Sequence, residues 1–209
     1  MTNTQQEYLK SLLSPLGFAD KSDNFCAFLD FLAEKNQELN VISRKLPMET
    51  IILEHLYDCI GGFEYFRPYS VISDLGSGGG FPGLLLGIAF PDKAIHLVEK
   101  SPKKTAYLND AVKTLGLRNV HVHSCLVNDF HEQTDVFTCR AFKSVAEIVQ
   151  MTMPYFKKGT PYLLFKGRKE TIDIELSQIK GHKYDFKLEK ICPEIKEKER
   201  YLLFLQKQN

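Results

Sequence analysis

Residues 71–83 read VISDLGSGGGFPG, and the rest of the chain is arranged around them. Val71, Ile72 and Ser73 begin a short run whose β-branched residues suit a buried strand. Asp74 follows, then Gly76, Gly78 and Gly80 at alternate positions. Glycines at that spacing let the backbone turn tightly and let a ligand lie against bare main chain. Pro82 suits the first turn of a helix, and residues 84–90 supply its apolar side chains. Strand, acid, glycine loop and helix form the device that holds a nucleotide-like ligand at the end of a parallel strand.

Two ligands compete for that loop. Asp74-x-Gly76-x-Gly78-x-Gly80 has the form of the first motif of S-adenosylmethionine enzymes. Gly78, Gly80 and Gly83 also satisfy the G-x-G-x-x-G pattern of dinucleotide sites. The acid favours the first reading. A carboxylate two residues before the loop repels a pyrophosphate and attracts the ammonium and sulfonium of S-adenosylmethionine. Glu99 closes the next apolar run, 25 residues after Asp74. There it can accept hydrogen bonds from both ribose hydroxyls, which either ligand requires.

Outward from this centre, the chain divides into two stretches. Residues 1–66 form a helical extension. A helix over 4–16 carries Leu9, Leu12, Leu13 and Leu16 on one stripe and ends at Gly17. Ser22 or Asp23 caps a second helix with Phe25, Phe28, Leu29, Leu32, Asn36 and Leu39 at helical spacing. After the polar segment 40–45, Pro47 opens a third helix that runs to Phe66. Residues 67–209 alternate strand and helix. Strands are expected at 94–99, 119–125, 135–140 and 162–165, with helices from Ser101-Pro102 to Gly116, at 145–155 and at 169–180. The closing strands, 184–192 and 201–206, have no helix between them and predict an antiparallel hairpin at the sheet edge. The charged run 194–200 between them reads as a solvated turn. The fold expected is an α/β three-layer sandwich of the Rossmann-like methyltransferase type, with a mostly parallel seven-stranded sheet preceded by N-terminal helices.

Composition bounds the function. The chain has 209 residues, and its 27 Lys and Arg against 26 Asp and Glu give a formal net charge of +1. An RNA partner must therefore be met by a local basic patch. Five cysteines without a C-x-x-C pair point to reduced thiols and a cytoplasmic setting. The N-terminal segment lacks the pattern of a signal peptide, and no apolar run has membrane-spanning length. His121 and His123 share one face of their strand, but no third ligand has metal-site spacing, so no metal is expected.

Three other positions bear on chemistry. Val127 and Asn128 follow the third strand, where an apolar side chain can lie on an adenine and an amide can meet its amino group. Arg140 ends the fourth strand and can pair with a carboxylate or a phosphate. The acceptor is read from what is missing. Exocyclic base amines are commonly methylated next to an Asn/Asp-Pro-Pro-aromatic motif, and here the fourth strand runs into Cys139-Arg140-Ala141-Phe142. No Pro-Cys nucleophile for a pyrimidine carbon and no aspartate for a hydroxyl acceptor stands there. A ring nitrogen with a free lone pair, such as guanine N7, needs none of these and requires only alignment. A small-molecule methyltransferase and a non-catalytic S-adenosylmethionine or RNA-binding regulator remain as alternatives, separable by turnover with and without RNA.

The chain resembles the glucose-inhibited division protein B (RsmG) family of small-subunit ribosomal RNA guanine-N7 methyltransferases. The resemblance rests on Asn40-Val41-Ile42-Ser43, on Glu54-His55-Leu56-Tyr57-Asp58, on the glycine segment from Asp74 to Gly83, on Arg140-Ala141-Phe142 and on Leu164-Phe165-Lys166-Gly167. It implies S-adenosylmethionine as cofactor, with Asp74 and Glu99 joined by Gly76, Gly78, Phe81, Val127, Asn128 and Arg140 in holding it. Asn40, His55, Lys166 and Arg168 are implied on the substrate side. Lys100, Lys103, Lys104 and Lys169 are further candidates for phosphate contacts. No residue is implied as a chemical catalyst, and Arg140 is the leading candidate for positioning. The implied partner is small-subunit ribosomal RNA or a 30S-like particle, approached by a monomer. Leu126 stands where the family often has a basic residue.

Overall fold

The computed structural model describes residues 1–181, 183–192 and 199–208. Seven strands form one sheet in the order β3-β2-β1-β4-β5-β7-β6. The strands are β1 (Val71–Leu75), β2 (Ala94–Val98), β3 (Val120–His123), β4 (Val136–Arg140), β5 (Tyr162–Lys166), β6 (Tyr184–Lys190) and β7 (Tyr201–Lys207). The first five are parallel, with Ser73 opposite both His96 and Phe137. β7 runs antiparallel between β5 and β6, so the closing hairpin sits at the edge with β6 outermost. Strand order reverses at β1, which has β2 on one side and β4 on the other. The crevice at the carboxyl ends of β1 and β4 is where open α/β sheets bind ligands.

Alternation along the strands sorts the core. In β5, Leu163 and Phe165 belong to one buried cluster, and Tyr162 and Leu164 to the other. Over the first face lie α1 (Asn3–Leu13), α2 (Ser22–Leu39), α5 (Gly83–Ala89) and α6 (Pro102–Thr114), contributing Leu13, Phe28, Leu84 and Leu108. Over the second lie α7 (Val145–Met151), α8 (Met153–Lys157) and α9 (Lys169–Ser177), contributing Ile148, Phe156 and Ile172. The three-layer sandwich is thus present. The N-terminal helices share one hydrophobic cluster with the sheet face they cover.

Several elements differ from expectation, each for a local reason. α1 stops at Leu13. Ser22 is the first residue of α2 and lies buried within it, so it is not the cap. The third helix is α3 (Met48–Ile51), a π-helical stretch Ile52–Tyr57 and α4 (Asp58–Ile60), and it ends at Gly61-Gly62 before a short 3-10 turn at Phe63–Phe66. The helix expected over 145–155 breaks at Thr152, next to Pro154. Ser101 precedes α6 without a side-chain cap, although Pro102 does open the helix. The strands expected to 99, 125 and 192 end at Val98, His123 and Lys190. Most of the charged run 194–200 lies outside the described residues.

Among the described residues no helix is long and apolar enough to cross a membrane. His121 and His123 gain a third neighbour in His96, whose Nδ1 lies 2.8 Å from His123 Nε2. Burial, with His123 and His121 beside it, holds His96 down to about 4. The described residues contain no group of three donors arranged to hold a metal ion.

Candidate cofactor and acceptor site

The glycine loop is held from below by its own strand ends. Asp74 is fully buried, and its Oδ2 accepts the Gly83 N–H at 3.1 Å. Gly83 has to be glycine there, because a β-carbon would overlap both Leu97 and Asp74 Oδ2. Asp74 Oδ1 is buried without a hydrogen-bond partner among the described residues. Burial pushes the Asp74 carboxyl up to about 7, against hydrogen bonding that includes the Gly83 amide. An unpaired buried carboxylate is costly, and a nearby cation relieves that cost.

Glu99, 7% exposed, locks the loop to the second strand. Its Oε2 accepts the Gly78 N–H at 3.1 Å and its Oε1 accepts the Ser101 N–H at 2.8 Å. Each oxygen keeps a second acceptor position for a ribose hydroxyl. Gly78 adopts φ +54°, and a β-carbon there would find no atom nearer than Gly76 O at 3.6 Å. The loop's bare face at Gly78 therefore opens on space. At Gly76, φ +71°, the Phe142 ring lies where a side chain would go. Beyond β3, Val127 is buried and Asn128 exposed on a short 3-10 turn. An anion beneath the loop, a fixed carboxylate at the β2 end and an apolar–amide pair after β3 suit the charged, ribosyl and adenine parts of S-adenosylmethionine.

Phe81, in the same loop, is 7% exposed. Its ring packs at 5.3 Å from Phe28 and 5.5 Å from His55. It therefore joins the loop to the N-terminal helices, and its side chain serves packing. Asn40 ends α2 in the left-handed conformation at φ 52° and is exposed. The segment after it reaches the loop, with Val41 and Ile42 nearest to Gly79.

Arg140 is the centre of a second cluster. Its guanidinium donates to Glu54 O, on the π-helical stretch, and to His55 Nδ1 at 3.0 Å. A guanidinium has no acceptor, so in this contact His55 Nδ1 is the accepting atom. Arg140 also lies 3.6 Å from Asp58 Oδ2, which accepts from Arg200 Nε as well. Burial pushes the Asp58 carboxyl up, against the pull of Arg200 and Arg140. Asp58 and Arg200 were not singled out from the sequence. Asp58 lies in a motif noted only for resemblance, and Arg200 closes a run that looked solvated.

A cavity of about 480 Å³ opens beside this cluster, across the carboxyl ends of β4 and β5. Arg140, Phe142, Lys166, Glu175 and Arg200 are among the residues that line it. Lys166 Nζ donates to Glu175 Oε2 at 2.7 Å and to Lys143 O at 3.0 Å. Arg168 is exposed just before α9. The structure therefore brings Arg140 and His55 together and places Lys166 in the adjoining cavity, while Asn40 and Arg168 stand at exposed positions. Burial pushes Cys139, next to Arg140, up to about 12, which removes it as a thiolate nucleophile at neutral pH.

Residues 21–203 match the model of a family described as rRNA small subunit methyltransferase G. The chain is 38% identical over 182 residues to a ribosomal RNA small subunit methyltransferase G 1 of Bdellovibrio bacteriovorus, covering 86% of this chain and 87% of that protein. It is 30% identical to the protein of the same name, without the numeral, from Brachyspira hyodysenteriae, over 89% of this chain and 91% of that one. Among solved structures, a ribosomal protein L11 methylase from Lactobacillus delbrueckii subsp. bulgaricus superposes with a TM-score of 0.55 at 12% identity, over 74% of this chain and 79% of that one. That likeness concerns the fold.

Proposed function

The chain belongs to the rRNA small subunit methyltransferase G family, and from that premise we propose that it methylates N7 of a guanine in small-subunit ribosomal RNA. It is an S-adenosylmethionine-dependent methyltransferase of small-subunit ribosomal RNA. The observation that carries the finer reading is the site itself: a cofactor cradle at β1 and β2 beside a nucleotide-sized cavity at β4 and β5, where the thiol nearest Arg140, Cys139, is buried and held protonated. When bound, the cofactor supplies an activated methyl group on sulfur. Asp74, Gly76, Gly78, Glu99, Val127, Asn128 and Arg140 hold it, with Phe81 fixing the loop by packing. Asn40, His55, Lys166 and Arg168 serve the RNA side.

Guanine N7 carries a lone pair and no proton at neutral pH. The chain therefore has no proton to remove before transfer, and its work is alignment. Residues 1–66 act as a helical extension packed on a methyltransferase core of residues 67–209. The protein works as a cytoplasmic monomer on RNA or on a 30S-like particle.

Calorimetric titration tests the cofactor reading. S-adenosylmethionine should bind at least about tenfold more tightly than NAD, and the reverse order would contradict the assignment. The same titration in two buffers reads Asp74. A cation brought near lowers a carboxyl whose value burial has raised to about 7. Binding near pH 6 should therefore release a fraction of a proton, and affinity should rise with pH towards 7.

A further inference from the structure

We infer that Glu175, paired with Lys166, reads the Watson–Crick edge of the target base and makes the cavity specific for guanine; this rests on the guanine-N7 reading above. Glu175 lies on α9 and turns into the cavity across the ends of β4 and β5. Its carboxylate is fixed before any base arrives. Oε2 accepts from the Val145 N–H at 2.9 Å and from Lys166 Nζ at 2.7 Å. Oε1 has no hydrogen-bond partner among the described residues. Lys166, its ammonium anchored to Glu175 and to Lys143 O, has a third donor to offer. The pair is only 12% and 18% exposed, so water competes weakly with a ligand.

One fixed donor beside one fixed acceptor matches one base. Guanine presents O6 as acceptor next to N1–H and N2–H₂ as donors. Lys166 can donate to O6 while Glu175 Oε1 accepts from N1–H and N2–H. Adenine offers the opposite order, an N6–H₂ donor and an N1 acceptor, which sets a donor against the ammonium and a lone pair against the carboxylate. Such a mismatch discriminates strongly because the site's own polar groups are left unpaired. N7 belongs to the Hoogsteen edge, beside O6 and away from N1 and N2. Holding the base by its Watson–Crick edge on the β5 and α9 side leaves N7 free to face the β4 end, where Arg140 lines the cavity and Phe142 borders the glycine loop.

The test pairs a protein change with a change in the base. Substrate RNA is made with guanosine or with inosine at the methylated position. Inosine retains N7, O6 and N1–H and lacks only the 2-amino group. With the unaltered protein, kcat/KM should fall about tenfold to a hundredfold on inosine RNA. With Glu175→Gln, activity on guanosine RNA should drop while the guanosine-to-inosine ratio shrinks towards one. A ratio that stays the same in both proteins would show that Glu175 only supports α7 and Lys166. Equal rates on the two RNAs with the unaltered protein would overturn the inference even if the variant failed to fold. Failure to methylate the guanosine RNA at all would instead remove the guanine-N7 reading on which it rests.

Discussion

Single residues of the glycine loop carry separable roles, although the sequence presents them as one motif. Gly83 is a packing glycine, because its missing β-carbon lets α5 approach Leu97 and Asp74. Gly78 is left-handed and faces open space, which fits the ligand contact proposed for it. Gly83→Ala should therefore cost stability, about 1–3 kcal/mol as for other overpacked buried sites. Gly78→Asn should cost little, since asparagine tolerates φ +54°, yet it should weaken S-adenosylmethionine binding at least about tenfold by filling the cradle. Thermal unfolding and calorimetry on the two variants check this, and equal losses of stability would contradict the division. The turn formed by the acid and the glycines was legible because it is set by residues close in sequence. The packing of the Phe81 ring was not, because its partners Phe28 and His55 come from distant segments.

At the level of elements, the informative departure is the π-helical stretch Ile52–Tyr57. Apolar spacing gave a continuous helix here, because a widened turn leaves the buried face nearly unchanged. The π register occurs mostly as single turns, frequently at functional sites. In this chain Glu54 O bonds the Arg140 guanidinium, and Asp58 at the end of the stretch bridges Arg140 to Arg200. Asp58 is 2% exposed, while the two arginine side chains are about one-fifth exposed. Removing the shared carboxylate leaves two neighbouring cations that water reaches only in part. Asp58→Asn should lower unfolding stability by about 2–3 kcal/mol and reduce RNA-dependent turnover, as measured by denaturant titration and single-turnover methylation. A loss below about 0.5 kcal/mol would show that the two guanidiniums are held by other contacts. The mostly parallel seven-stranded sheet and the closing hairpin were readable from element succession alone. The π turn and the Asp58 bridge depend on pairing across more than eighty residues, which local periodicity does not encode.

For the molecule as a whole, a formal net charge of +1 gives no general pull towards RNA. Recognition must come from the few cations around the β4 and β5 ends, set beside a cofactor cradle on the same edge of one sheet. In the proposed mechanism, that juxtaposition brings an activated methyl group to an unprotonated ring nitrogen, which needs no base. The most direct measurement is the chemical identity of the product. Small-subunit ribosomal RNA lacking the modification is incubated with the protein and S-adenosylmethionine carrying a labelled methyl group. The RNA is then mapped by nucleoside mass spectrometry and by chain scission specific for N7-methylated guanine. Label is expected in one guanosine, at N7, with cleavage at that nucleotide. Label on a hydroxyl, an exocyclic amine or a ring carbon would contradict the proposed mechanism.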